Sequence, residues 1–351
     1  MNTSPAEFHD FITSVSRRYP LTPIIRQRST PDRYGFSSLV STHLKYNRVP
    51  RSFANWVHGW MWWSPQNLDE FGFQSDPPYY TKIVSNKSQL QFLRNSGLHN
   101  IVAAGLPYAY HLASASPDDP VVGKTSGTVV FVPDHSSESN KITLNILQYL
   151  DFIDSVRDSF LHISVLLYSL DYAALAPVVV QRGYLPLLGA DPKCPNSFPR
   201  VKAIFDSHEY VSTNVIGSHV LYALASGCRV SICGPYQKRT LEPHLDDIRL
   251  GLYSSDYLER IIHYMSLDYL QASWLYSFLV DHPAAAPLLS SDLLARVDEE
   301  LGISNLMSII DVAEHLGWSP DRQFLGYFYG AARRLKRSTP FHARSQLFHK
   351  T

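Results

Sequence analysis

The stretch Ile216-Gly-Ser-His219, followed by the apolar run Val220–Ala225, is the part of the chain best suited to chemistry. Gly217 permits close approach to the backbone, Ser218 is a helix-capping residue, and His219 can donate to an oxyanion. A polar turn that opens a helix presents unpaired N–H groups and the positive end of the helix dipole, which suits a phosphate. The same residues also make an ordinary capped turn with no ligand. Asn214 lies just upstream, and Asp206 and Glu209 are placed to hold ribose or sugar hydroxyls.

Two histidine-bearing turns offer proton transfer and anion binding. His58-Gly59 follows the apolar run Phe53–Val57, and imidazole titrates near neutrality, so His58 suits deprotonation of a hydroxyl. A packed histidine among Trp56, Trp60, Trp62 and Trp63 satisfies the spacing equally. Pro133-Asp-His-Ser-Ser-Glu-Ser139 brings His135, Ser136 and Ser137 toward an anion, or simply caps the next helix. Glu209 is a second candidate base. Arg182 and Arg200 are candidate phosphate partners or ordinary arginines.

Three other patterns carry no ligand set. Gly-Lys-Thr at 123–125 lacks the upstream glycine of a phosphate loop and precedes a strand rather than a helix. Asp246 and Asp247 are adjacent, so no Asp-x-Asp pair presents itself, and Glu242-Pro-His244 stands alone. No metal site and no cofactor is expected.

The elements that must position these residues alternate between strand and helix. At 351 residues the chain has room for two domains, and 45% apolar with 18% charged residues describes a globular protein. Zero formal net charge argues against nucleic acid as a partner. Aromatic residues reach 13%, with 21 Tyr and 6 Trp, which suits either carbohydrate sites or cores. Three cysteines without metal spacing fit a reducing compartment. The first residues lack a signal-peptide pattern, and Phe160 to Val180, broken by His162, Asp171 and Pro177, reads as strand plus loop. A cytoplasmic protein is expected.

Along the chain, an amphipathic helix pattern (Phe8, Phe11, Ile12, Val15) opens residues 1–115. Strands are expected at 52–63, 82–85 and 101–105, with a helix at 87–96 ended by Gly97. Residues 112–126 read as a linker. The alternation restarts with strands at 128–132 and 162–168, a helix at 142–158, and a polar loop from Asp206 leading to the helix after Ser218. Residues 126–245 form this second unit, and 246–351 are read as helical. The basic end Ala331–Arg337 suits either an anionic membrane surface or a packed helix.

The pattern Thr-Asn-x-x-Gly-Ser-His-x-x-Tyr-Ala-Leu-x-x-Gly-x-x-Val (Thr213 to Val230), with Trp56-Val-His58-Gly59, resembles bacterial surface-polysaccharide glycosyltransferases of the GT-B fold. Polysialyltransferases and teichoic-acid glycerophosphotransferases share the general arrangement. The resemblance spans roughly residues 50–240 and implies an α/β protein of two Rossmann-like domains facing a cleft, with a helical C-terminal region bracing them. It implies acceptor binding on the first domain and a nucleotide-sugar on the second, with UDP- and CMP-sugars both open. His58 becomes the base or a cleft histidine, His135 a donor-side group, and Ser218 and His219 the donor-phosphate contacts. Trp60, Trp62 and Trp63 would stack on a glycan or lipid-linked glycan acceptor. A nucleotide-sugar epimerase and a non-catalytic glycan-binding subunit are the alternatives.

Overall fold

The short apolar strands assemble into two separate parallel sheets. The computed structural model describes residues 5–23, 29–57, 59–73, 76–114, 124–134 and 146–324. Two helices, α1 (Pro5–Arg18) and α2 (Phe36–His43), precede the first sheet. That sheet contains β1 (Ala54–Trp56), β2 (Thr81–Val84) and β3 (Ile101–Ala103), in that order. Trp56 and Ile83 pack with Phe36 and Tyr110 on one face, while Val84 and Ile101 pack with Phe71, Phe73 and Leu93 on the other. Between β2 and β3 lies α3 (Lys87–Asn95), started by Asn86 accepting the Gln89 N–H and ended by Gly97 in the left-handed region at φ 81°. After β3 comes α4 (Pro107–Ala113).

The second sheet holds β4 (Thr125–Val132), β5 (His162–Leu167), β6 (Leu185–Leu188), β7 (His208–Thr213) and β8 (Arg229–Ile232). Its order is β6-β5-β4-β7-β8, all parallel. The chain therefore starts at the centre, runs outward through β5 and β6, and returns to the other side of β4, the Rossmann-like order. That reversal leaves a crevice at the carboxyl ends of β4 and β7. Two helices, α5 (Ile146–Val156) and α6 (Ser169–Gln181), cover the face bearing Val129, Phe131, Val165 and Leu167. The opposite face, with Val130, Leu166 and Val211, is covered by α7 (Ser197–Ser207) and α8 (Ser218–Ala225).

Three stretches differ from the sequence expectation, the first being the strand expected over 52–63, which is confined to Ala54–Trp56. Residues 169–181, read as loop, are the helix α6 despite Pro177 inside it. His208–Thr213, read as polar loop, is a central strand. Polar residues survive there because each finds a partner. The Thr213 hydroxyl donates to the Val132 carbonyl at 2.7 Å, and Ser212 Oγ lies 3.1 Å from Cys233 Sγ. Lys124, from the failed phosphate-loop pattern, is structural: its ammonium donates to the carbonyls of Phe205 (3.1 Å) and His208 (2.9 Å), where a cation suits the end of α7.

The chain ends cross over. Although α1 precedes the first sheet, it docks on the second, with Phe8 stacked on His162 at 4.8 Å and Ile12 and Val15 in the same core. Beyond β8 the chain is helical: α9 (Leu245–Arg249), α10 (Ser255–Tyr264), α11 (Leu267–Gln271), α12 (Ser291–Leu301) and α13 (Ile309–His315). Val297 and Leu301 of α12 join the core under the second sheet, whereas Val312 and Leu316 pack against the first. No helix among the described residues is long and apolar enough to cross a membrane. The basic segment 331–337 lies outside the described residues.

Gly302 ends α12 at φ 72°, where a Cβ would stand 2.0 Å from the Ser85 carbonyl oxygen and 2.8 Å from Gly105 Cα. Gly302→Ala is therefore expected to lower stability by more than the ~1 kcal/mol of a simple left-handed penalty. Urea unfolding measures the loss, and a variant within about 0.5 kcal/mol of wild type would contradict the close contact.

His208 and His111 are buried, and burial holds each well below the ordinary imidazole value of 6.5, at about 4. His208 Nδ1 lies 2.7 Å from the Ile204 carbonyl, which only accepts, so Nδ1 carries the proton and Nε2 faces Ser164 Oγ at 3.2 Å. As pH falls from about 6.5 to about 4 the unfolded chain takes up protons that the folded chain refuses. Stability is thus expected to be lost across that window, by up to about 3 kcal/mol per histidine. Replacing His208 by Asn should flatten the acid limb of a stability–pH curve relative to wild type; parallel curves would contradict its neutral burial.

Candidate functional site

A cavity of about 340 Å³ opens at the carboxyl ends of β4 to β7. Its rim comes from Pro133 and Asp134 after β4, Tyr168 after β5, Gly189 and Ala190 after β6, and Val215 to His219 ahead of α8. Phe198, Val201 and Phe205 of α7 form an apolar wall, and Gly59 and Trp62, from the chain between β1 and β2, close the far side. The crevice implied by the strand order is thus a formed cavity.

At the start of α8, Gly217 is the cap residue in extended geometry (φ −175°, ψ 177°), and a Cβ there would come within 3.0 Å of the His219 ring. Ser218 is not the cap. Its hydroxyl accepts the Trp60 N–H at 2.9 Å and ties the first sheet's loop to the helix. His219 Nε2 lies 2.9 Å from Thr213 Oγ1. The single Thr213 proton goes to the carbonyl of Val132 (2.7 Å) or Val215 (3.1 Å), so Oγ1 accepts from His219 and the imidazole carries its proton on Nε2. Asn214 joins three loops, accepting the Asp134 N–H at 3.1 Å and donating to the Pro235 carbonyl at 3.3 Å.

Further residues complete the site. Asp134 and Arg239 form an ion pair at 2.6 Å, with side chains only 1% and 8% exposed. Tyr34 enters the cavity from a strap ahead of α2. Its backbone is left-handed (φ 55°), its N–H donates to the Pro192 carbonyl at 2.8 Å, and its ring stacks on Phe198 at 4.8 Å. The next residue, Gly35 (φ 81°), has Pro195 Cα 2.1 Å from where a Cβ would be, so the strap is locked in place. The hydroxyls of Tyr34 and Tyr168 hydrogen-bond to one another, and burial raises the pKa of both. Tyr34-Gly35 is a turn-type dipeptide visible in sequence; Arg239 has no local marker.

Several expected site residues stand elsewhere. Glu209 is at the amino end of β7, accepting the Gly127 N–H at 2.7 Å. The cavity is at the carboxyl end, about 13 Å along the strand, so Glu209 is not a base for it. Arg182 caps α6 at the edge away from the cavity, bound to Asp151 at 2.8 Å and to Asp154. Arg200 donates to the backbone of Leu188 and Tyr19, and Asp206 pairs with Lys202. Trp60 is buried, with its indole N–H on Glu300 at 2.9 Å. Trp63 stacks on Tyr264 at 5.0 Å and donates to Glu70 at 3.0 Å. Neither presents a platform to the cavity; Trp62 alone of the three lines it. His58, His135, Ser136 and Ser137 lie outside the described residues.

No protein-family model matches the chain, and a search of curated proteins finds no significant relative. Among the described residues no group of three or more His, Cys, Asp or Glu side chains converges as metal ligands would.

Breaking a buried pair strands a charge, whereas removing both partners does not. Asp134→Ala alone is expected to cost about 3–5 kcal/mol, and Asp134→Leu with Arg239→Met markedly less. Chemical denaturation of the singles and the double decides this; additive losses would show that the two side chains do not act as a pair.

Proposed function

We propose that this chain is a GT-B-type glycosyltransferase, in which two Rossmann-like lobes hold a nucleotide-sugar donor and pass its sugar to a surface-glycan acceptor. The reading rests on one observation. The cavity lies where the strand order of the five-stranded sheet reverses, at the amino end of α8, and its far wall comes from the chain of the other sheet.

The donor phosphate sits against the first turn of α8, facing the helix dipole and the first-turn N–H groups. His219, whose Nε2 proton is held by Thr213, donates to it only when Nδ1 is protonated as well. These groups also offset the charge that develops as the acceptor oxygen bonds to the anomeric carbon and the nucleotide leaves with the bond's electron pair. Fixed donors serve this well because they need no reorganisation during reaction. Ser218 acts by holding the helix start to Trp60, and Trp62 is the remaining aromatic wall for a sugar face. The base is assigned to His58, which precedes cavity-lining Gly59 in the chain. Both UDP- and CMP-sugars fit this scheme.

A thermal-shift series with UDP, CMP, GDP and CDP tests the reading. One nucleotide is expected to raise the melting temperature, since a ligand at 100 times its Kd adds about 2.7 kcal/mol to the folded state. His219→Ala should remove most of that shift while leaving the unliganded melting temperature within a few degrees. If millimolar nucleotides leave the wild-type melt unmoved, the donor site is wrong.

A further inference from the structure

The cavity has two unlike ends. At one, the turn that opens α8 stands beside the Asp134–Arg239 pair. At the other, Tyr168, Gly189 and Ala190 follow β5 and β6, and Tyr34 comes in from the strap. In the sheet order β5 lies two strands from β7, so the ends are about 10 Å apart, two inter-strand spacings. That span is the reach of a nucleoside: a phosphate at one end puts the polar edge of its base at the other. Between the ends, Leu166, Leu167, Phe198 and Val201 supply apolar walls, which suit the faces of a planar ring better than a hydroxylated sugar.

At the far end the backbone is already engaged. The Gly189 N–H donates to the Leu167 carbonyl at 2.8 Å, and the Ala190 carbonyl accepts the Ser169 N–H at 3.4 Å. The Tyr168 carbonyl accepts the N–H groups of Asp171 (3.1 Å) and Tyr172 (3.0 Å). Recognition there falls to side chains, and the hydroxyls at that end belong to Tyr34 and Tyr168, bonded to one another. A phenol both donates and accepts, and a bonded pair of phenols can run in either direction. Together they match the adjacent donor and acceptor on the edge of a nucleobase. Tyr34 is also fixed in place. A left-handed tyrosine (φ 55°) is strained, and such residues gather where function holds them.

We propose that the hydroxyls of Tyr34 and Tyr168 hold the hydrogen-bonding edge of the donor's nucleobase and set which base is accepted. The inference rests on the donor reading above. Tyr34 lies in the unit to which the resemblance assigns the acceptor, so donor selection is shared between the two units rather than confined to the second. The locked strap gives that selection a rigid reader, which loses little freedom when the base arrives.

Calorimetric titration of the full chain with the mono- and diphosphates of uridine, cytidine and guanosine tests it, because within each series only the base differs. Wild type is expected to separate the bases. Tyr34→Phe and Tyr168→Phe, each keeping its ring, should weaken the preferred nucleotide about three- to tenfold, the size of one lost hydrogen bond, and narrow the spread between bases. A variant that merely loosened the fold would weaken every base alike. If no nucleotide binds, the donor reading fails and this inference with it. If nucleotides bind but wild type does not separate the bases, or both variants keep its spread, this inference alone is overturned. Should Tyr34→Phe misfold, Tyr168→Phe decides by the same measure.

Discussion

Trp60 joins the two sheets. Its backbone N–H is held by Ser218 at the start of α8, and its indole N–H is held by Glu300 of α12. One residue between β1 and β2 is therefore fixed to the second sheet's helix and to the C-terminal segment that returns to the first. Burial raises the pKa of Glu300, and hydrogen bonds from Trp60 and Arg296 oppose that shift, so the carboxylate stays useful as an acceptor. The cavity exists because this junction keeps Gly59 and Trp62 opposite the turn that opens α8.

The crossing of the chain ends reinforces the same geometry. With α1 packed on the second sheet and α13 on the first, neither sheet is an uninterrupted piece of chain. The locked strap at Tyr34-Gly35 crosses the same boundary. The strap is fixed by the Tyr34 N–H on the Pro192 carbonyl and by Gly35 against Pro195, and the end of α12 by Gly302 against Ser85, glycines that no larger residue can replace. Backbone fixation of this kind holds distances more tightly than flexible side chains do, which suits a site where placement decides reactivity.

Legibility in sequence followed locality. The α3 helix was readable because Asn86, its amphipathic pattern and Gly97 are contiguous. The turn at Gly217–His219 was readable for the same reason, and it does face the cavity. The strand β7 was misread because its polar side chains are satisfied by β4 and β8, which no local pattern announces. Likewise the tryptophans looked like a sugar platform, yet Glu300, Glu70 and the Tyr264 carbonyl take their indole protons. An aromatic residue with a polar edge is equally at home in a core once a distant acceptor arrives.

Alternating apolar runs, caps and glycines, all set by near neighbours, determined the α/β character, the parallel strands and the helix start after Gly217. Tertiary structure alone decided which charges pair, as in Asp134 with Arg239, and which end of a strand a residue occupies, as in Glu209. The reason is that burial and partner choice depend on segments distant in the chain. Local propensity can place a residue on an element but cannot say what will stand across from it.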